Sequence, residues 1–96
     1  MIAKANVAVR VVVSGRVQGV WYRGWAIETA MQLGLRGWVR NRRDGTVEAL
    51  LIGPAPEVEA MIQACRQGPP AARVDSLARL PAHDDSSIGF SQLPTA

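Results

Sequence analysis

Arg16 and Arg23 bracket a short stretch, SGRVQGVWYR at residues 14–23, that also carries glycines at 15 and 19. A guanidinium is planar, and its fork of donors matches two phosphate oxygens at once. Glycine tolerates positive φ, so a loop holding two of them can turn successive N–H groups toward one point. A helix beginning directly afterwards adds further unpaired donors. The guest that suits such a loop is an anion. Spacing alone leaves a second reading open, because paired glycines are common in plain strand-to-helix connections and most arginines are solvated. Neither GxxxxGK[ST] nor GxGxxG occurs, which excludes two familiar nucleotide-binding loops.

What the stretch lacks is as informative. It contains no cysteine, histidine, aspartate or glutamate, and no serine after Ser14, so a phosphorylated enzyme intermediate has no obvious nucleophile. Attack by water is the option that remains. His83 and Cys65, the one histidine and one cysteine, make no metal-ligand cluster, and Asp84-Asp85 reads as a solvated turn. No metal and no cofactor are expected.

The elements that must position these residues follow from periodicity. Residues 7–13 are valine-rich and read as a strand buried on both sides, with Val7, Val9, Val11 and Val13 on one face and Ala8 and Val12 flanking Arg10 on the other. A helix starts near Trp21, with Tyr22, Ala26, Thr29, Ala30 and Leu33 at helical spacing and Gly34 as its stop. Residues 35–41 alternate as a strand that ends at Asn41. Asp44-Gly45 signals a hairpin, so residues 46–52 return antiparallel. Pro56 suits the first turn of a second helix whose apolar stripe is Val58, Met61, Ile62 and Cys65. Residues 73–80 form a fourth strand, residues 88–93 a short edge strand, and residues 94–96 a frayed end. The order β-α-β-β-α-β plus a terminal strand predicts an α+β, ferredoxin-like (split β-α-β) fold: an antiparallel sheet of four to five strands with two helices on one face.

With 96 residues, 48% apolar and 20% charged, the chain reads as one domain, residues 1–96, with a core at about 7–93 and tails at 1–6 and 94–96. Arg10 and Gly53 interrupt the apolar runs well before a membrane-spanning length, and the start shows no basic-then-apolar leader. A lone cysteine cannot form an internal disulfide, so a cytoplasmic location is expected. The net charge of +3 hides an asymmetry: residues 1–43 carry +7 and residues 44–96 carry −4. The loop sits in the basic half, whose field would draw in a small anion.

Three blocks in order, GRVQGVWYR, LGLRGWVRNRRDGTVEALLIG and GPPAARVDSL, resemble the acylphosphatase family over residues 7–90. That resemblance implies hydrolysis of the carboxyl-phosphate bond of acyl phosphates without metal or cofactor. It implies that Arg23 and Asn41 are the catalytic residues. It also implies that Arg16, Val17, Gln18, Gly19 and Val20 bind the phosphate, mainly through backbone N–H groups. Inorganic phosphate is then a product or inhibitor, and a monomer is expected. The chain departs from the pattern at Ala26, where many members carry a threonine whose hydroxyl could support the loop or the asparagine.

The chemistry of these residues is consistent with that implication. Asn41 does not titrate near neutrality, so it can hold a water or donate a hydrogen bond but cannot act as a base; its position alone favours a cap on the turn at 42–45. Loose phosphoryl transfer asks for positioning and charge stabilisation rather than a base. A phosphate monoester expels an alkoxide that needs an acid, whereas an acyl phosphate expels a carboxylate of pKa about 4–5, which leaves unaided. The rival readings are an RNA-binding module, or one that senses a phosphorylated ligand without catalysis. Ten of the eleven cations are arginine, and Trp21, Trp25 and Trp38 could stack on bases, but no block of interleaved aromatics marks a central strand. Neither nucleic acid nor a membrane is therefore an expected partner.

Overall fold

Seven elements follow one another along residues 5–96, the residues that the computed structural model describes: β1 (Asn6–Arg16), α1 (Tyr22–Gln32), β2 (Arg36–Asn41), β3 (Val47–Pro54), α2 (Ala55–Cys65), β4 (Arg73–Pro81) and β5 (Phe90–Gln92). The expected tail at residues 1–6 and the expected absence of a leader fall largely on residues 1–4, which lie outside the described residues. β1 pairs antiparallel with β3 and with β4, and β3 pairs antiparallel with β2. The strand order is β4-β1-β3-β2-β5. Four strands thus form the antiparallel sheet expected of the ferredoxin-like fold. The fifth runs parallel to β2 and makes the whole sheet mixed.

Both helices pack on one face of this sheet. Val11 and Val13 of β1, Val39 of β2, and Val47, Ala49 and Leu51 of β3 alternate onto that face. There they join Tyr22, Ala26 and Ala30 of α1 and Val58, Met61, Ile62 and Cys65 of α2 in a single buried cluster. α1 ends as its sequence predicts. Gly34 has φ 70°, its N–H donates to Met31 O at 3.1 Å, and the N–H of Leu35 reaches back to Ala30 O at 2.9 Å. That pair of bonds is the Schellman motif, which satisfies two carbonyls at the helix end.

The other face corrects the expectation that β1 is buried on both sides. Among the described residues no helix covers it, so Ala8, Arg10 and Val12 are only half-buried. At its centre Glu48 is almost wholly buried, accepting from Arg10 at 2.6 Å and from Arg40 at 2.7 Å. Arg40 in turn lies 4.8 Å from the ring centre of Trp38. Asp84 and Asp85 do more than form a solvated turn. Asp84 pairs with Arg36, and Asp85 accepts the Trp38 indole N–H at 3.1 Å, so they fasten the segment between β4 and β5 to β2.

Two further details differ from the periodicity. The β1–β4 register jumps between Ser14↔Ser76 and Gly15↔Val74, leaving Asp75 as an extra residue in β4. This bulge shifts the alternation, so Val74 and Leu77 both pack against the core although they fall on opposite faces of an ideal strand. The C-terminal end is paired rather than frayed. Leu93 N–H donates to Val39 O at 2.9 Å, Ala96 N–H to Asn41 O at 3.0 Å, and Arg43 N–H to Ala96 O at 2.8 Å.

Candidate active site

The loop that carries the candidate residues is shorter than its sequence suggests, because β1 continues through Arg16. Gly15, at the bulge, has φ 126°, and a Cβ there would stand 2.2 Å from Arg73 O, so only glycine lets β4 approach this closely. Residues 17–21 then arch from the end of β1 to the start of α1. Val17 (1% exposed) and Val20 (8% exposed) sink their side chains into the core and anchor the arch from beneath. Gly19, between them, has φ 72°, and no atom beyond its own and its two chain neighbours' lies within 4 Å of where its Cβ would be. The crest of the loop is therefore bare backbone facing open space. Among the described residues, the N–H groups of residues 17–20 have no acceptor within the protein. Unpaired loop amides directly before a helix N-terminus form an anion-binding arrangement.

Gln18 fixes this arch to the β2–β3 hairpin. Its amide nitrogen donates to Arg42 O and to Thr46 O, each at 2.8 Å. The hairpin turn itself is closed by Asp44, which accepts from Thr46 N–H at 3.0 Å and from the Thr46 hydroxyl at 2.6 Å. The turn needs no cap from Asn41, and the Asn41 side chain makes no hydrogen bond among the described residues. Its Oδ1 is buried without a partner.

Arg23 stands on the first turn of α1, half-buried and in no ion pair among the described residues. Its position is set by Tyr22, which is 3% exposed and donates its hydroxyl to Cys65 O at 2.6 Å, tying the start of α1 to the end of α2. Burial pushes the Tyr22 hydroxyl well above its ordinary pKa and the Cys65 thiol up to about 11, so both remain neutral packing groups.

Arg23 and Asn41 meet in one open pocket of about 180 Å³, lined also by Val17, Gly19, Trp21, Tyr22, Gly24 and Gln92. Of the residues that the resemblance points to, Val17, Gly19, Arg23 and Asn41 line this pocket. Gln18 and Val20 brace it from behind. The Arg16 side chain is exposed at the end of β1, opposite Arg73, and does not line it.

The acylphosphatase family model matches residues 9–91. The chain belongs to the acylphosphatase family. An acylphosphatase of Rhodospirillum rubrum is 64% identical to it over 86% of this chain and 91% of the relative. Among solved structures, an acylphosphatase from Coxiella burnetii superposes with a TM-score of 0.88 at 30% identity, covering 92% of this chain and 93% of the other. One from Bacillus subtilis superposes with a TM-score of 0.86 at 33% identity, covering 91% and 98%. The expected fold and the expected family of enzymes that hydrolyse acyl phosphates both stand. A nucleic-acid face is not favoured, and the open-face Trp38 is engaged by Arg40 and Asp85 rather than offered for stacking.

Three features of this acylphosphatase-family site escape a reading of residue types. Gln92 enters the pocket because β5 pairs with β2, a long-range pairing without a local signature. The bracing role of Gln18 depends on two carbonyls that lie 24 and 28 residues further along the chain. Trp21 adopts a left-handed backbone, φ 66°, that no tryptophan announces. At Ala26, where many acylphosphatases carry a threonine, the side chain is 1% exposed and belongs to the core.

Proposed function

We propose that this chain hydrolyses acyl phosphates to a carboxylate and inorganic phosphate by direct attack of water, with Arg23 and Asn41 as its catalytic residues. The observation that carries this reading is that Arg23, Asn41 and the bare crest at Gly19 line a single pocket. The Arg23 guanidinium and the unpaired loop N–H groups grip the phosphoryl oxygens and stabilise the charge spread over them in the transition state. Asn41 holds a water on the side of phosphorus opposite the leaving carboxylate. A buried amide oxygen without a partner costs about 1–3 kcal/mol, and accepting from that water removes the cost.

As the water oxygen bonds to phosphorus, the bond from phosphorus to the acyl oxygen breaks and its electron pair leaves with the carboxylate. The water proton passes to a phosphoryl oxygen. No lining residue is a histidine, carboxylate or thiol, and none is required, because a carboxylate leaves without protonation. Inorganic phosphate, which has the same oxygens, competes for the loop as product and inhibitor.

Among the described residues no helix is long and apolar enough to cross a membrane. The single buried thiol supports a cytoplasmic location. A monomer agrees with having five exposed large apolar side chains among the described residues, placed on β1, the loop, α1, β4 and the segment before β5.

The test is incubation of the purified chain with benzoyl phosphate or acetyl phosphate in a chelator, following loss of the anhydride. Release of one phosphate per anhydride consumed supports the reading. Tight binding of phosphate with no turnover supports instead a module that senses a phosphorylated ligand.

A further inference from the structure

Trp21 occupies a position that is costly for a tryptophan. Its backbone is left-handed, φ 66° and ψ 23°, a conformation that glycine adopts freely and a bulky residue adopts only under strain. The side chain gains little shelter in return. Trp21 is 59% exposed, whereas Tyr22 beside it is 3% exposed. Its indole nevertheless stays at the pocket, because it rests on the backbone of Gly24 in the first turn of α1. A Cβ on Gly24 would stand 2.1 Å from indole Nε1 and 2.6 Å from Cε2, so any side chain at position 24 would evict the ring.

The other lining residues leave one place for the acyl end of a substrate. Val17 and Tyr22 are almost wholly buried, Gly19 and Gly24 have no side chain, and Arg23, Asn41 and Gln92 are polar. The exposed indole is therefore the large apolar surface that the pocket offers. With the phosphoryl group held by the loop and Arg23, and with water held by Asn41, the leaving acyl group has to project out of the loop past the rim.

The geometry points to Trp21 as a specificity-determining residue, whose indole, seated on Gly24, selects acyl phosphates with a flat aromatic acyl group over those with a small aliphatic one. This rests on the acyl phosphate reading given above. Aromatic contacts are worth about 0.5–1.5 kcal/mol, which corresponds to a preference of roughly 2- to 12-fold.

The test compares kcat/KM for benzoyl phosphate and acetyl phosphate in the unaltered chain and in Trp21→Ala, Trp21→Phe and Gly24→Ala, with the inhibition constant of inorganic phosphate measured in each. The intrinsic reactivities of the two anhydrides cancel when the benzoyl-to-acetyl ratio is compared between variants. Trp21→Ala lowers this ratio roughly 3- to 10-fold, mainly through KM for benzoyl phosphate. Trp21→Phe retains most of it. Gly24→Ala, which favours the helix but displaces the ring, lowers it in the same direction. A ratio unchanged in Trp21→Ala, or both substrates weakened in step with phosphate, overturns the inference and assigns the indole to loop support. Should the unaltered chain hydrolyse neither anhydride, the acyl phosphate reading falls and takes this inference with it.

Discussion

Arg23 on the first turn of α1 and Asn41 at the last position of β2 line one pocket, and neither side chain has a partner among the described residues. They come together because β1-α1-β2 places the start of the helix and the end of the strand at the same end of the sheet. Gln18 then locks the loop before α1 to the hairpin after β2. An unpaired cation and an unpaired amide at one bare glycine crest are what a loose phosphoryl transfer requires.

Arg23→Ala lowers kcat/KM by about 10²- to 10³-fold, the scale of losing one preorganised charge-stabilising contact, and weakens inhibition by phosphate in parallel. Arg23→Lys restores little of either, because an ammonium lacks the planar fork. Steady-state kinetics with phosphate as competitor checks both statements. Phosphate inhibition left intact in Arg23→Ala removes the guanidinium from the anion site.

Gln18→Ala removes one of the two donors to each of the carbonyls of Arg42 and Thr46, which keep the backbone N–H groups of Gly45 and Arg42, and frees the loop from the hairpin. Stability falls by about 1–3 kcal/mol, the net worth of two intramolecular hydrogen bonds. Activity measured well below the unfolding transition falls further than the folded fraction does, because the loop and Asn41 lose their common support. Thermal unfolding combined with kinetics separates the two effects.

Glu48 provides a dependence on pH that is unrelated to catalysis. Burial alone would raise its pKa, but hydrogen bonds from Arg10 and Arg40 outweigh burial and hold the carboxyl below its ordinary value. A depressed carboxyl contributes stability that is fully present above the unfolded value of about 4.3 and is lost as pH falls through the lower folded value. Glu48→Gln therefore destabilises the protein at neutral pH and flattens the acid side of its stability profile, which denaturant unfolding between pH 2 and 7 measures. An unaltered acid limb in that variant contradicts the assignment.

The parts of the fold legible in the sequence were those with a local signature. The stripe Val58, Met61, Ile62 and Cys65 is the buried face of α2, Gly34 closes α1, and Asp44-Gly45 turns the hairpin that leaves Asn41 at a strand end. The sequence blocks point to Arg23, Gly19 and Asn41, and these three line one pocket. Features that depend on distant partners were not legible. The bulge at Asp75 shifts the β4 alternation, the uncovered face leaves β1 half-buried, and the bonds between Ala96 and the Asn41–Arg43 backbone hold down an end that reads as loose. Composition and periodicity carry no information about which carbonyl a glutamine side chain will find, or which strand a short C-terminal segment will join.

The proposed mechanism divides the labour: Arg23 and the loop hold the phosphoryl group, and Asn41 aims the water. Kinetics of Asn41→Ala with an acyl phosphate, measured together with the inhibition constant of inorganic phosphate, test it most directly. With Asn41 removed, kcat falls by about 10²-fold while phosphate binds as before. Normal turnover in that variant, or loss of phosphate binding in step with turnover, contradicts it.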